Sequence, residues 1–243
     1  MMNAAVVLRG HIRTWNFCKD AVFSLFEEQY SNIDWYITTW RESITDDILD
    51  SLAKDFQHRN LFLHILEEPS RNYNAWTGPG KLCMKVADII KEKQYPVVVE
   101  TRPDIHAQGL SLHPLPVIEP NTFYTSGVNM SWVMERGHHI GLQDWFTISD
   151  ANVFHIYSAE RCAEREEVPH IGLRTIAEKH NLVIATLPGI KTEIVRPSCY
   201  AMNTVETHHT GLWWEWNREE KKEALTMLGI PFADYMTEGV ARL

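Results

Sequence analysis

Residues 97 to 108 read VVVETRPDIHAQ: three valines in succession, then Glu100, Arg102, Asp104 and His106 within seven positions. A strand that buries valines and ends in carboxylates, a guanidinium and an imidazole has the composition of a ligand site. Arginine offers a planar fork of donors to carboxylate or phosphate oxygens. Similar groups follow two other apolar runs: Arg9, His11 and Arg13 come after AAVVL, and Thr38, Thr39 and Arg41 come around IDWYI. If these runs are neighbouring strands of one sheet, their polar ends converge on a site with both cations and carboxylates.

The elements that must position such a site are legible over the first hundred residues. Residues 4 to 9, 33 to 39, 61 to 66 and 96 to 101 read as strands. Between them, helical spacing places Phe17, Ala21, Val22, Leu25 and Phe26 on one stripe, Ile48, Leu49, Leu52 and Phe56 on another, and a third helix over Leu82 to Ile90. Gly78, Pro79 and Gly80 read as breakers of any regular element before that helix. Strand alternating with helix predicts an α/β fold with a mostly parallel central sheet covered by helices on both faces. Strands buried on both sides carry continuous apolar runs, which accounts for the valines. Ligands of such sheets bind outside the carboxyl ends of the strands, where the polar groups fall.

The second half is less regular. Residues 112 to 124 hold three prolines and read as loop or edge strand. Residues 141 to 149 read as a polar, aromatic segment that turns helical near Asn152, with another helix over 168 to 180 opened by Pro169. LVIAT at 182 to 186 and TEIVR at 192 to 196 are strand candidates, and residues 217 to 229 form a charged amphipathic helix closed by Gly229 and Pro231.

Composition narrows the classes. With 243 residues, 44% of them hydrophobic, the chain can bury a large core, and a single unit over 1 to 243 is expected. A formal net charge of −9 without a basic run argues against nucleic acid as a partner. The amino-terminal apolar run is short and reads as a first strand instead of a signal peptide, and no run of about 18 apolar residues predicts a transmembrane segment. Four scattered cysteines without a CxxC pair fit a reduced, cytoplasmic setting.

Four blocks, in order over residues 4 to 160, resemble one family. VVLRGHIRTW, NIDWYITTW, VVVETRPDI and QDWFTISD are similar to segments of a group of GT-A-like glycosyltransferases from phage, large-virus and bacterial polysaccharide loci. There the first strand ends in Gly-Gln-x-Arg-Thr and a later one in Arg-x-Arg-Pro-Asp. This chain has His11 in place of the glutamine and Glu100 in place of the first arginine, and its last 60 residues match no block.

The resemblance implies a Rossmann-like sheet, with a nucleotide-sugar-binding half over 1 to 110 and an acceptor-side half and cap over 111 to 243. It implies a UDP- or GDP-linked sugar donor and a glycan acceptor. Arg9, Gly10, His11, Arg13, Thr39 and Arg102 would serve the nucleotide, and Asp104 the pyrophosphate, metal or donor sugar. Asp104 falls where GT-A enzymes place an Asp-x-Asp motif, here Asp104-Ile105-His106, so Mn2+ or Mg2+ held by Asp104 and His106 is an expectation, with His208 or His209 as a third ligand. Asp144 would be the general base or acceptor-orienting residue, with Asp150 as its substitute. Each residue also has a plainer reading. Asp104 could cap a turn or pair with Arg102, Arg9 and Arg13 could pair with Asp34 or Glu100, and Trp213, Trp214 and Trp216 could be buried instead of stacking on sugar. A noncatalytic glycan-binding module, or another nucleotide-sugar enzyme such as a nucleotidyltransferase, remains open beside the transferase.

Overall fold

The computed structural model describes residues 3–12, 15–73, 77–108, 118–125, 128–129, 141–142, 146–163, 169–187, 191–194 and 241–242. Its strands are β1 (Asn3–Arg9), β2 (Asn32–Trp40), β3 (Asn60–Leu66), β4 (Val97–Thr101), β5 (Ile105–Gln108), β6 (Thr122–Thr125), β7 (Val128–Asn129), β8 (Gly141–Leu142), β9 (Phe146–Ser149), β10 (Val183–Thr186), β11 (Lys191–Ile194) and β12 (Ala241–Arg242). The helices are α1 (Trp15–Glu27), α2 (Asp46–Asp55), α3 (Thr77–Lys93), α4 (Ala151–Ala163) and α5 (Pro169–Lys179). The fold is α/β, with a mostly parallel sheet flanked by helices.

The main sheet has the order β12-β10-β6-β9-β4-β1-β2-β3. β1 pairs in parallel with both β2 and β4, and β2 with β3. β9 enters antiparallel between β4 and β6, β6 pairs in parallel with β10, and β12 closes that side antiparallel. Six of the eight strands therefore run one way. Two small ribbons, β5 with β11 and β7 with β8, stand apart.

Alternation along β1 divides the core. Ala4, Val6 and Leu8 pack with Val22 and Phe26 of α1, with Leu52 of α2 and with Phe56 at its C-cap. Ala5 and Val7 face the other way, onto Cys83, Val86, Ala87 and Ile90 of α3 and Ala151 and Phe154 of α4. The valines of β4 serve both faces, since Val97 and Val99 join the first cluster and Val98 the second. Each fully buried side chain of this kind contributes about 1.5–3 kcal/mol. A third cluster sets Val153 and Tyr157 of α4 and Leu173 and Ile176 of α5 against Phe123 and Ile184.

Local chemistry fixes the helix ends. Thr45 caps α2 by accepting from the Ile48 N–H at 3.3 Å, with Asp46 and Asp47 in the first turn and Lys54 in the last, as the helix dipole favours. Asp150 does the same for α4, its Oδ1 accepting from the Val153 N–H at 2.8 Å.

Three expectations are corrected. Gly78, Pro79 and Gly80 do not break a helix; they lie in the first turn of α3. A proline there lacks only an N–H that the helix could not have used. Residues 122–125, expected as loop or edge strand, are an interior strand between β9 and β10. Residues 146–149, read as a polar lead-in to a helix, are β9, all four of them buried. Thr147 and Ser149 alternate there with Phe146 and Ile148.

Candidate functional site

The chain runs from β1 outward to β2 and β3, then returns to place β4 on the other side of β1. That reversal makes a topological switch point, and the carboxyl ends of β1 and β4 flank the crevice that such a reversal opens. Two of the sequence blocks meet there. After β1 the chain turns at Gly10, whose φ of +119° lies in the region that favours glycine and whose N–H donates to Thr38 O at 3.0 Å. A Cβ built on Gly10 would stand 4.0 Å from Pro103 Cδ, so the turn after β1 packs against the turn after β4, more than 90 residues on.

The buried ends of β1 and β4 are charged. Arg9 Nε donates to Glu100 Oε1 in an ion pair whose side chains are only 3% and 1% exposed. Both residues lie on the α3 face, because they stand two positions after Val7 and Val98 in their strands. Among the described residues, Glu100 Oε2 and Thr38 Oγ1 are buried with no hydrogen-bond partner, and so is Thr39 Oγ1 on the opposite face. Arg9 is level with Thr38 in the sheet register.

Sequence reasoning missed Arg161, a third buried ionic group, only 1% exposed. It closes α4, and its Nη1 donates to Tyr157 Oη. Gly80 brings α3 against it: a Cβ there would meet Arg161 Cβ at 2.7 Å and Cys162 N at 2.9 Å. Cys83, one turn along α3, feels the whole group. Burial pushes its thiol well up, Glu100 adds to the rise, and Arg9 and Arg161 oppose it. A signal was available, since Val153, Tyr157 and Arg161 fall at i, i+4 and i+8 on the buried stripe of α4.

At the rim, Arg102 grips Asp104 side-on, Nε to Oδ1 at 2.8 Å and Nη2 to Oδ2 at 2.7 Å. Arg102 is 23% exposed and Asp104 8%. Across the crevice, His11 Nδ1 and Ser43 Oγ are hydrogen-bonded at 2.5 Å. Glu42, held below the ordinary carboxylate range chiefly by its hydrogen bond from Ser70, is close enough to feel His11 and Arg71. Trp40 stacks on Tyr73 at a centroid distance of 5.3 Å, and Gly78 of α3 lies against both.

The expected site residues thus divide. Arg9, Gly10, His11, Thr39, Arg102 and Asp104 all gather at the carboxyl ends of β1, β2 and β4. Arg13, Asp144, His208, His209 and the tryptophans at 213, 214 and 216 lie outside the described residues, as does the helix expected over 217 to 229. Phe146, two residues after Asp144, pairs with Thr101 at the carboxyl edge. Asp150 is at the opposite edge, where it caps α4 and accepts from the Asn121 N–H at 3.3 Å. Asp34 is no partner of Arg9; it is bonded by Lys93, Tyr95 and Asn60 near the amino ends of the strands.

Of the residues expected to cradle a metal ion, only Asp104 has its side chain among the described residues. It stands in a turn ahead of β5, and both its oxygens accept hydrogen bonds from Arg102. His106 pairs through its backbone with Glu193 of β11, and its side chain is outside the described residues. Two clefts lined entirely by described residues, of about 300 and 320 Å³, open at the other edge of the sheet around Asn32. Among the described residues no helix is long and apolar enough to cross a membrane. Compared with known proteins, the chain matches no family model and no curated protein.

Proposed function

We propose that the chain is a glycosyltransferase that moves a sugar from a nucleotide-linked donor to a glycan acceptor, with the donor's diphosphate in the crevice between β1 and β4. One observation carries this reading: the Arg9-Gly10-His11 turn and the Arg102-Pro103-Asp104 turn, two of the blocks on which the family resemblance rests, meet at the switch point of the sheet. A departing nucleoside diphosphate accumulates negative charge, and fixed donors stabilise it best where little has to reorganise. Arg102 is a partly exposed cation at the carboxyl end of β4, and the Arg9–Glu100 ion pair is buried at the ends of β1 and β4. His11, half-buried and tied to Ser43, lines the β2 side. In this reading Asp144, carried over from the resemblance, accepts the proton of the acceptor hydroxyl.

Calorimetric titration with UDP, GDP and their sugar conjugates, with and without manganese, tests the proposal. Saturable binding of one nucleotide series, tighter for the sugar conjugate, is expected. Absence of binding for every nucleotide would remove the transferase reading and leave the noncatalytic glycan-binding module as the better account.

A further inference from the structure

The expected metal site and the observed geometry of Asp104 disagree, and the disagreement has functional content. A carboxylate that serves a divalent cation must turn at least one oxygen to it. In Asp104 both oxygens are taken side-on by Arg102, in the two-bond geometry that holds a guanidinium most firmly. The grip uses Nε and Nη2, so the plane of the guanidinium is set and Nη1 takes no part in it. Burial is graded in the same sense: Asp104 is almost wholly covered while Arg102 is partly open. Pro103 between them fixes φ and packs toward Gly10, which holds the turn in register with the end of β1.

We propose that Asp104 is a positioning residue for Arg102, which it orients toward an anionic ligand in the crevice, and that it does not ligate a metal ion. The ligand class is a phosphate or diphosphate, whose oxygens match a planar guanidinium. The inference rests on the donor-site reading given above and deepens it, because arginine takes the place that a cation would fill on the diphosphate.

The test has two arms, both with the full chain. In the first, manganese alone is titrated into the wild type and into Asp104→Asn. The expected result is the same isotherm for both; manganese binding that the substitution removes would overturn the proposal, whatever the protein does with nucleotides. In the second, UDP and GDP are titrated in the presence of a chelator into the wild type, Asp104→Asn, Arg102→Gln and the double variant. A shared mechanism predicts that each single substitution weakens binding about tenfold and that the double variant is no worse than either single one, since residues acting as one unit are not additive. Additive losses, or an Asp104→Asn variant that binds like the wild type, would overturn the positioning role. If the wild type binds neither nucleotide even with manganese, the donor-site reading itself fails, and the ligand assignment falls with it.

Discussion

Arg9 and Glu100 show what a strand-end charge costs when it is placed inside the protein. Their side chains are covered almost completely, and the ion pair between them compensates two desolvation penalties at once. Removing one partner leaves the other charged and buried. Glu100→Ala is therefore expected to lower the unfolding free energy by about 3–5 kcal/mol. Denaturant melts followed by circular dichroism measure this directly, and a loss below about 1 kcal/mol would mean that Arg9 reaches water in the variant. At this scale the sequence was informative about identity and left partnership open: Arg9 with Glu100 and Arg102 with Asp104, both observed, were among the pairings it allowed. Arg9, Arg102 and Asp104 stood out because charged residues follow buried runs. That Arg9 meets Glu100 depends on the register of β1 against β4 across 91 positions, which no local pattern encodes. Arg161 was overlooked for the opposite reason, since a charged residue on an apolar helical stripe is ordinarily read as an interruption of that stripe.

Among the elements, α3 carries the clearest lesson. Gly78, Pro79 and Gly80 look like a break because each disfavours a helix interior. Position reverses that reading, because proline is tolerated in a first turn and Gly80 lets α3 touch α4. An alanine replacing glycine inside a helix commonly stabilises it by about 0.4–1 kcal/mol. Here the added Cβ would stand 2.8 Å from the backbone carbon of Arg161, so Gly80→Ala is expected to destabilise by about 1–3 kcal/mol. A thermal melt with a raised midpoint would show that the two helices can part at little cost. The short strands β6 and β9 were illegible for a related reason. Prolines shortly before one, and threonine and serine within the other, imitate loop composition, although Thr122, Thr125, Thr147 and Ser149 are all buried. The long strands β1 to β4 were readable because both of their faces are apolar and the helices between them keep a clean period.

For the molecule as a whole, alternation of strand and helix in the first hundred residues was enough to foresee a mostly parallel sheet with helices on both sides. It also placed the polar groups at the edge where the switch point lies. The order of the second half was not foreseeable, because β9 is inserted between strands that precede it in the chain. The same insertion leaves an uneven seam. β1 pairs with β2 over seven positions and with β4 over five. β6 is joined to β9, among the described residues, over two: Tyr124 with Ile148 and Thr125 with Thr147. Backbone amides report such differences through the rate at which they trade protons for deuterons, since regions with few pairings open at a smaller free energy than the global transition. Amides of β6 and β10 are expected to exchange well before those of β1, β2 and β4 when deuterium uptake is followed by mass spectrometry at neutral pH. Uniform protection across the sheet would refute a weak seam. The crevice lies on the slow-exchanging side, so opening of the β6–β10 flank would leave the proposed donor end standing.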